Sequence, residues 1–379
     1  MFALDGNRTH NPQFRRQSYY QLSYRASQIY KRIIHHISYL PIHVKFDHSA
    51  FSHNTRQPCV AVRSFTNTIT SVFKSVFKMA EVSPANVDNE YKKYSNIKPE
   101  DIKLLKEWIK TQLHLPYEYV TDLDLVLAHH SCECKIEITK KVLDLNFTLR
   151  TLFTFYQNRE VDKSLKRAFE SWLVTPLTTM TNKGYRPIYC QLLDPDANKF
   201  VYSDVVRAFV MIVDLYLHEE GTVSGVAIII NMDKVSLDHM SRINLVVAQQ
   251  FFYFLQEAMF VRLKEFHFIN APSFIDRLIS IFKPFMKEEL LHMIYVHVAG
   301  SDSFKDFISM AALPEDAGGE NLNSLELRDQ MWNKIEANAK FFKAESIKKV
   351  DETLRTGGPK TMSTFFPSLE ESFKRLDID

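Results

Sequence analysis

Gly225-Val226-Ala227-Ile228-Ile229-Ile230 decides the fold. The run is short, continuously apolar and β-branched, and it follows Gly221 and Gly225, so it reads as a strand buried on both faces. Such a strand belongs in a parallel sheet. Downstream, Ser241 to Phe260 reads as a long apolar helix, Phe266 to Ile269 as a second buried strand, Ser273 to Phe282 as an amphipathic helix and Ile294 to Val298 as a third strand. That order, β-α-β-α-β, predicts an α/β domain with a mostly parallel sheet.

Upstream, Lys183-Gly184-Tyr185-Arg186-Pro187 is a turn that leads into a strand over Ile188 to Leu193, ended by Asp194-Pro195. Ser203 is placed to cap a helix through Leu217, with Val206, Val210, Val213 and Leu217 on one face. Further upstream Pro99-Glu100-Asp101 opens a helix whose apolar face is Ile102, Leu105, Ile109 and Leu113, with Trp108 beside it. Asp122 to His130 and Glu137 to Tyr156 extend it into a small all-helical unit. After the central stretch, Phe304 to Met310 reads as a short helix and Leu325 to Phe342 as a longer one, which Gly357-Gly358-Pro359 breaks off into an irregular tail.

Charge is uneven along the 379 residues. Residues 1–78 hold eleven Lys/Arg against two Asp/Glu, and the remainder holds 36 against 43. The globular part is mildly acidic, which argues against a nucleic-acid partner. Arg- and Ser-rich and almost free of acids, the leader fits a transit peptide, a disordered basic arm, or sequence upstream of a start at Met79-Ala80-Glu81, and the abrupt change of composition favours the last. Cys59, Cys132, Cys134 and Cys190 are too few and too irregular for a disulfide framework or a zinc site, which suits a reducing, cytoplasmic setting. The most membrane-like window, Ile243 to Val261, carries Asn244, Gln249, Gln250, Gln256 and Glu257, so it reads as a buried helix and not a span.

No enzyme constellation stands out. Gly221-Thr222-Val223-Ser224-Gly225 has its serine one place late for a nucleophile elbow, and no dinucleotide loop, phosphate loop or paired-histidine zinc helix occurs. His292 and His297 are badly spaced for a shared metal, and His267, inside an apolar strand, reads as a hydrogen-bonded core residue. The expectation is a protein that is not an enzyme and needs no cofactor. What does stand out is an apolar surplus: nine glycines against 29 phenylalanines.

Leu255-Gln256-Glu257, Val261 to Pro272, Lys283-Pro284-Phe285, Leu313-Pro314 and Gly318-Gly319, in this order, resemble the CRAL-TRIO lipid-binding family, and within it the α-tocopherol-transfer-protein-like branch of insect type. The likeness runs from about Ile97 to the C-terminus, including Asp351-Glu352-Thr353 and the tail Ser372 to Leu376, and contributes nothing before Met79. It implies a leader over 1–78 that is disordered or outside the true protein, a helical N-terminal subdomain over 79–160, a lipid-binding domain over 161–320, and a C-terminal helix and tail over 321–379.

The resemblance also assigns the segment Pro272 to Phe285 as a lid over a lipid pocket. Phe274, Ile275, Leu278, Ile279 and Phe282 form its apolar stripe, and Asp276, Arg277, Ser280 and Lys283 its polar one. A lid has a physical purpose, since hiding a sixteen-carbon chain from water is worth roughly 13 kcal/mol at about 0.8 kcal/mol per CH₂. Pocket candidates are Ile228 and Ile230, or their neighbour Ile229, with Phe251, Leu255, Phe268, Phe274, Leu278 and Phe282. Arg262 and Lys264 stand where the branch keeps phosphoinositide-binding basic residues, and Lys283 and Lys287 are further candidates. Other basic positions of that cluster fall on Cys132, Glu289 and Met293, the basic run near His129-His130 is missing, and Phe260 replaces a proline. The implied function is a monomeric, cytoplasmic carrier of a tocopherol-, retinoid- or phospholipid-like molecule, transiently touching phosphoinositide-containing membranes. The alternative is a CRAL-TRIO interaction or sensing module that no longer transfers lipid.

Overall fold

The computed structural model describes residues 81–367. The basic leader, Cys59 and the tail Ser372 to Leu376 lie outside the described residues, and with them the expectations made for them.

One five-stranded sheet organises the described chain. Its strands, β1 (Trp172–Pro176), β2 (Arg186–Leu192), β3 (Val226–Asn231), β4 (Leu263–Ala271) and β5 (Ile294–Val298), lie in sequence order across it. β1 pairs antiparallel with β2, and every later pair is parallel. In the sheet centre Ile188 lies beside Ile228 and Ile228 beside Phe266, and Cys190, Ile230 and Phe268 repeat the row one pleat further on. Side chains alternate between faces along a strand. Ile228, Phe266 and Phe268 therefore join one core cluster, and Tyr189, Ile229 and Ile269 a separate cluster on the other face. The facing left open by the sequence is settled: Ile228 and Ile230 share one side and Ile229 takes the other.

Five helices precede the sheet: α1 (Val87–Lys93), α2 (Pro99–Lys110), α3 (Asp122–Ser131), α4 (Ile136–Leu152) and α5 (Thr154–Gln157), with α6 (Lys163–Ser171) leading into β1. Pro99, Glu100 and Asp101 form the first turn of α2, and Ile102, Leu105 and Ile109 are its buried face. Leu113 does not belong to that face, because the helix ends at Lys110 and leaves Leu113 66% exposed. α3 starts with a capping box in which Thr121 and Asp124 satisfy each other's backbone N–H.

α7 (Tyr202–Glu220) crosses from β2 to β3 and is buried nearly all round, so its length is apolar and not merely one stripe. It begins one residue ahead of the expected Ser203 cap and ends on Gly221, whose φ of 74° suits glycine. A Cβ at Gly221 would stand 2.3 Å from the Glu90 carboxylate, which accepts the Thr222 N–H at 2.9 Å and fastens α1 to this turn.

A separate short helix that was not expected, α8 (Leu237–Ser241), comes next. The expected helix from Ser241 to Phe260 is shorter, α9 (Leu245–Glu257), and starts late because Asn244 caps the N–H groups of Val246 and Val247. After β4 come α10 (Ile275–Phe282) and α11 (Glu288–Leu291). Beyond β5, Phe304 to Met310 is a single 3₁₀ turn over Ser303–Asp306 followed by turns, not a helix. Asn338 divides the expected last long helix into α12 (Ser324–Ala337) and α13 (Ala339–Glu345), and a short α14 (Met362–Phe365) follows.

Candidate functional site: an apolar cavity under an amphipathic helix

A cavity of about 140 Å³ lies between the Ile228 face of the sheet and helices α7, α8, α9 and α10. Ile228, Ile230, Phe266 and Phe268 form its floor, Phe251 and Phe252 of α9 one wall, and Leu278 and Phe282 of α10 its cover. The far wall, Val205, Val206 and Phe209 of α7, was not singled out in the sequence, although the uninterrupted apolar length of that helix is its signal. Aromatic packing fills the space around the void: Phe252 meets Phe282 at 5.1 Å and Phe209 meets Phe251 at 5.3 Å between ring centres.

Six of the eight pocket candidates, Ile228, Ile230, Phe251, Phe268, Leu278 and Phe282, line this cavity, and Leu255 and Phe274 do not. Leu255 lies one helical turn beyond Phe251 and is packed into the continuous core. Phe274 precedes α10. At 100° per residue Ile275 and Phe282 fall within 20° of each other with Leu278 close by, and Phe274 is rotated off that stripe and only half-buried.

The cover is attached unevenly. Its N-terminus has no side-chain cap, and it follows Asn270, which sits in the left-handed region at φ 51°. Its C-terminal end is held by Gln256 of α9, whose amide donates to the Phe285 carbonyl at 3.0 Å and accepts from the Lys287 N–H at 2.7 Å. Between these points Ile275, Leu278 and Phe282 contribute burial alone.

The basic candidates lie along the edge where the parallel strands begin. Arg262, just before β4, donates from Nε to the His130 carbonyl at 2.7 Å. It stands beside Cys132, Glu133 and Cys134, so the position where the resemblance expects another basic residue is its spatial neighbour. Burial, and next the Arg262 charge, push His130 down to about 3, so this histidine adds no cation. Lys264 and Lys283 are exposed, and Lys287 is paired with Glu257. No shared hydrogen-bond partner or carboxylate joins Arg262 and Lys264 to Lys283 and Lys287 among the described residues.

The opposite face of the sheet carries polar chemistry. Lys183 donates to Glu265 at 2.8 Å, Glu265 reaches His267 at 3.3 Å, His267 reaches His297 at 3.1 Å, and His297 reaches Ser303 at 2.8 Å. His267 is thus hydrogen-bonded in the core, and His297 pairs with it and not with His292. Among the described residues no group of three or more His, Cys, Asp or Glu is arranged to hold a metal, and no helix is long and apolar enough to cross a membrane.

A larger cavity, about 230 Å³, lies where α3, α4 and α7 meet α13. Its walls include a buried ion network: Arg150 contacts Asp214 at 3.2 Å and Glu345 at 2.9 Å, and Lys348 contacts Glu345 at 2.6 Å and Asp124 at 2.8 Å. An apolar molecule gains less beside such groups than in the smaller cavity, whose lining is almost wholly apolar.

The family model for the CRAL/TRIO domain matches residues 173–319, from β1 through the cover helix to Gly319. Over those residues the chain is similar to a CRAL/TRIO domain. It is similar to the alpha-tocopherol transfer protein-like of Homo sapiens, 23% identical over 223 residues, which are 58% of this chain and 58% of that protein. Clavesin-2 of Rattus norvegicus is 22% identical over 171 residues, 45% of this chain and 52% of its own length. The chain therefore spans less than two thirds of the curated relatives it matches. A solved structure, described as the crystal structure of Sfh5, covers 84% of this chain and all of its own at 12% identity, with a TM-score of 0.35.

Proposed function

We propose that this protein binds one hydrophobic molecule in the apolar cavity and carries it between membranes, with α10 as the lid. The observation that carries this reading is the cavity's construction: an almost wholly apolar void, floored by a rigid sheet and covered by an amphipathic helix held mainly by burial. Ile228, Ile230, Phe251, Phe268, Leu278 and Phe282 are the contact residues of the proposal. The similarity to proteins named alpha-tocopherol transfer protein-like makes tocopherol the first probe.

At about 140 Å³ the cavity is below the roughly 300–1,000 Å³ usual for ligand sites, so loading a lipid requires α10 to move outward. The lid's apolar stripe would then rest on ligand or on the membrane interface. Arg262 and Lys264 supply cations for anionic headgroups, joined by Lys283 and, where Glu257 releases it, Lys287.

A second reading is a CRAL/TRIO module that senses or recruits without transfer. The small volume, with phenylalanines crowding the walls, favours it, as does the engagement of Arg262 and Lys287 with protein partners. Native mass spectrometry of the full chain, purified from a eukaryotic host without detergent and followed by lipid extraction, separates the two. The carrier reading expects a stoichiometric lipid, and transfer between vesicles that falls when Arg262 and Lys264 are changed to alanine. A folded protein that stays empty and takes up no tocopherol, retinol or phosphoinositide overturns it in favour of the second reading.

A further inference from the structure

Four of the side chains lining the apolar cavity carry nitrogen, hydroxyl or thiol groups: Trp172, Cys190, Tyr202 and His239. The Trp172 indole N–H lies near the Cys190 sulfur. His239 is only 3% exposed, and its Nδ1 is already committed. The Ser236 backbone N–H donates to Nδ1 at 3.2 Å, and the Ser236 hydroxyl lies 2.8 Å from it, closing the capping box of α8. A backbone N–H can only donate, so Nδ1 bears the lone pair and the neutral ring carries its proton on Nε2. That Nε2–H has no hydrogen-bond partner among the described residues. Phe200 meets the ring in a T-shape at 5.7 Å, and an aromatic face is a far weaker acceptor than an oxygen.

Tyr202, on the first turn of α7, also lines the cavity and is half-buried. Burial raises its pKa, so it is a neutral phenol that can donate or accept. Burial likewise lowers the pKa of His239, the main cause of its neutrality. A buried donor without a partner is costly, and because His239 lines the cavity that must open to load a ligand, an oxygen brought against Nε2–H would relieve a cost that a hydrocarbon cannot.

We propose that His239 Nε2–H is the polar anchor of the cavity, with Tyr202 beside it, and that the ligand class is a hydrophobic molecule bearing an acceptor oxygen: an alcohol, phenol, carbonyl or ester, not a plain hydrocarbon. The inference rests on the carrier reading and adds to it the residue that would hold the ligand's oxygen.

The test is competition against a fluorescent apolar probe, diphenylhexatriene, using the full chain and a matched pair of ligands, phytol and phytane. Phytol is expected to bind about three- to tenfold more tightly than phytane, the gain of one buried neutral hydrogen bond. His239→Phe should bring that ratio to about one. His239→Gln, which keeps an acceptor for Ser236 and a donor for the ligand, should restore part of it. In ¹⁵N-histidine spectra, phytol and not phytane should shift the Nε2–H resonance of the unaltered protein, a readout independent of any variant's folding. Equal affinity for the pair, or a ratio unmoved in His239→Phe, overturns the anchor and leaves the carrier reading standing. If neither ligand displaces the probe nor binds by native mass spectrometry, the carrier reading falls and the anchor falls with it.

Discussion

The two faces of the sheet are covered by contrary means. Over Ile229, Tyr189 and Ile269 the chain packs Phe304, Ile308 and Leu313, and ties itself down through Lys183, Glu265, His267, His297 and Ser303. Over Ile228, Ile230 and Phe268 it places α10, which meets the cavity through carbon and is fastened to α9 by one amide. Hydrogen bonds fix a cover to one register, whereas apolar contact is non-directional and tolerates displacement. One face thus serves as a frame and the other as a compartment.

The contrast is broken most directly by a pair of alanine substitutions one residue apart. Ile229 is fully buried in the close-packed cluster, so Ile229→Ala should cost about 3–4 kcal/mol in urea unfolding. Ile230 is half-buried and already borders a void, so Ile230→Ala should cost less than about 1.5 kcal/mol and should increase uptake of an apolar fluorophore. Equal losses at the two positions would mean that both faces are packed alike.

How far this was legible from sequence depends on the kind of signal. Val226 to Ile230 could be only a strand, and Pro99, Gly221 and the stripe Ile275–Leu278–Phe282 carry their local structure in their own chemistry. β1 was not legible, since Trp172-Leu173-Val174-Thr175-Pro176 has no alternation and becomes a strand only by pairing with β2. The start at Asn244 was missed because Ser241 was as good a candidate cap as Asn244, and the choice between them falls only when Asn244 is seen to accept from Val246 and Val247. In the site, periodicity marked the amphipathic stripe of α10, only the resemblance put that helix over a pocket, the facing of β3 stayed open, and the α7 wall and His239 were not singled out. An all-apolar helix does not declare which side meets a cavity, and one histidine in Leu237-Asp238-His239-Met240-Ser241 is unremarkable until its Nδ1 partner is known.

The polar frame also predicts a pH dependence of intermediate size. Burial first, and the neighbouring imidazole next for His297, hold His267 and His297 below the ordinary histidine range, with Glu265 opposing this at His267. The unfolded chain then binds more protons than the folded one once pH falls below about 6.5, so this contribution is complete above that pH and is lost on acidification. Each such histidine can remove at most about 1.4 kcal/mol per pH unit. Unfolding free energies between pH 7.5 and 5 should therefore fall less steeply in the doubly substituted His267→Gln, His297→Gln protein. Parallel profiles would show that the pair does not feel its burial.

The smallest effect on stability is expected to have the largest consequence for exchange. Gln256→Leu removes two hydrogen bonds between α9 and the end of the lid, yet keeps the side chain's bulk, so global stability should drop by only about 1 kcal/mol. Because those bonds are what joins the C-terminal end of α10 to the wall, the proposed lid role expects release of a bound fluorophore, followed by stopped flow into excess vesicles, to quicken severalfold. Lys287→Ala deletes only a solvent-facing pair with Glu257 and leaves the backbone N–H in place, so release into vesicles of no net headgroup charge, phosphatidylcholine alone, should stay at the original rate. If the glutamine variant releases no faster, the lid does not open from this end. The uncapped end after Asn270 would then be the place where the compartment yields, and a proline at Ser273 the substitution that slows it.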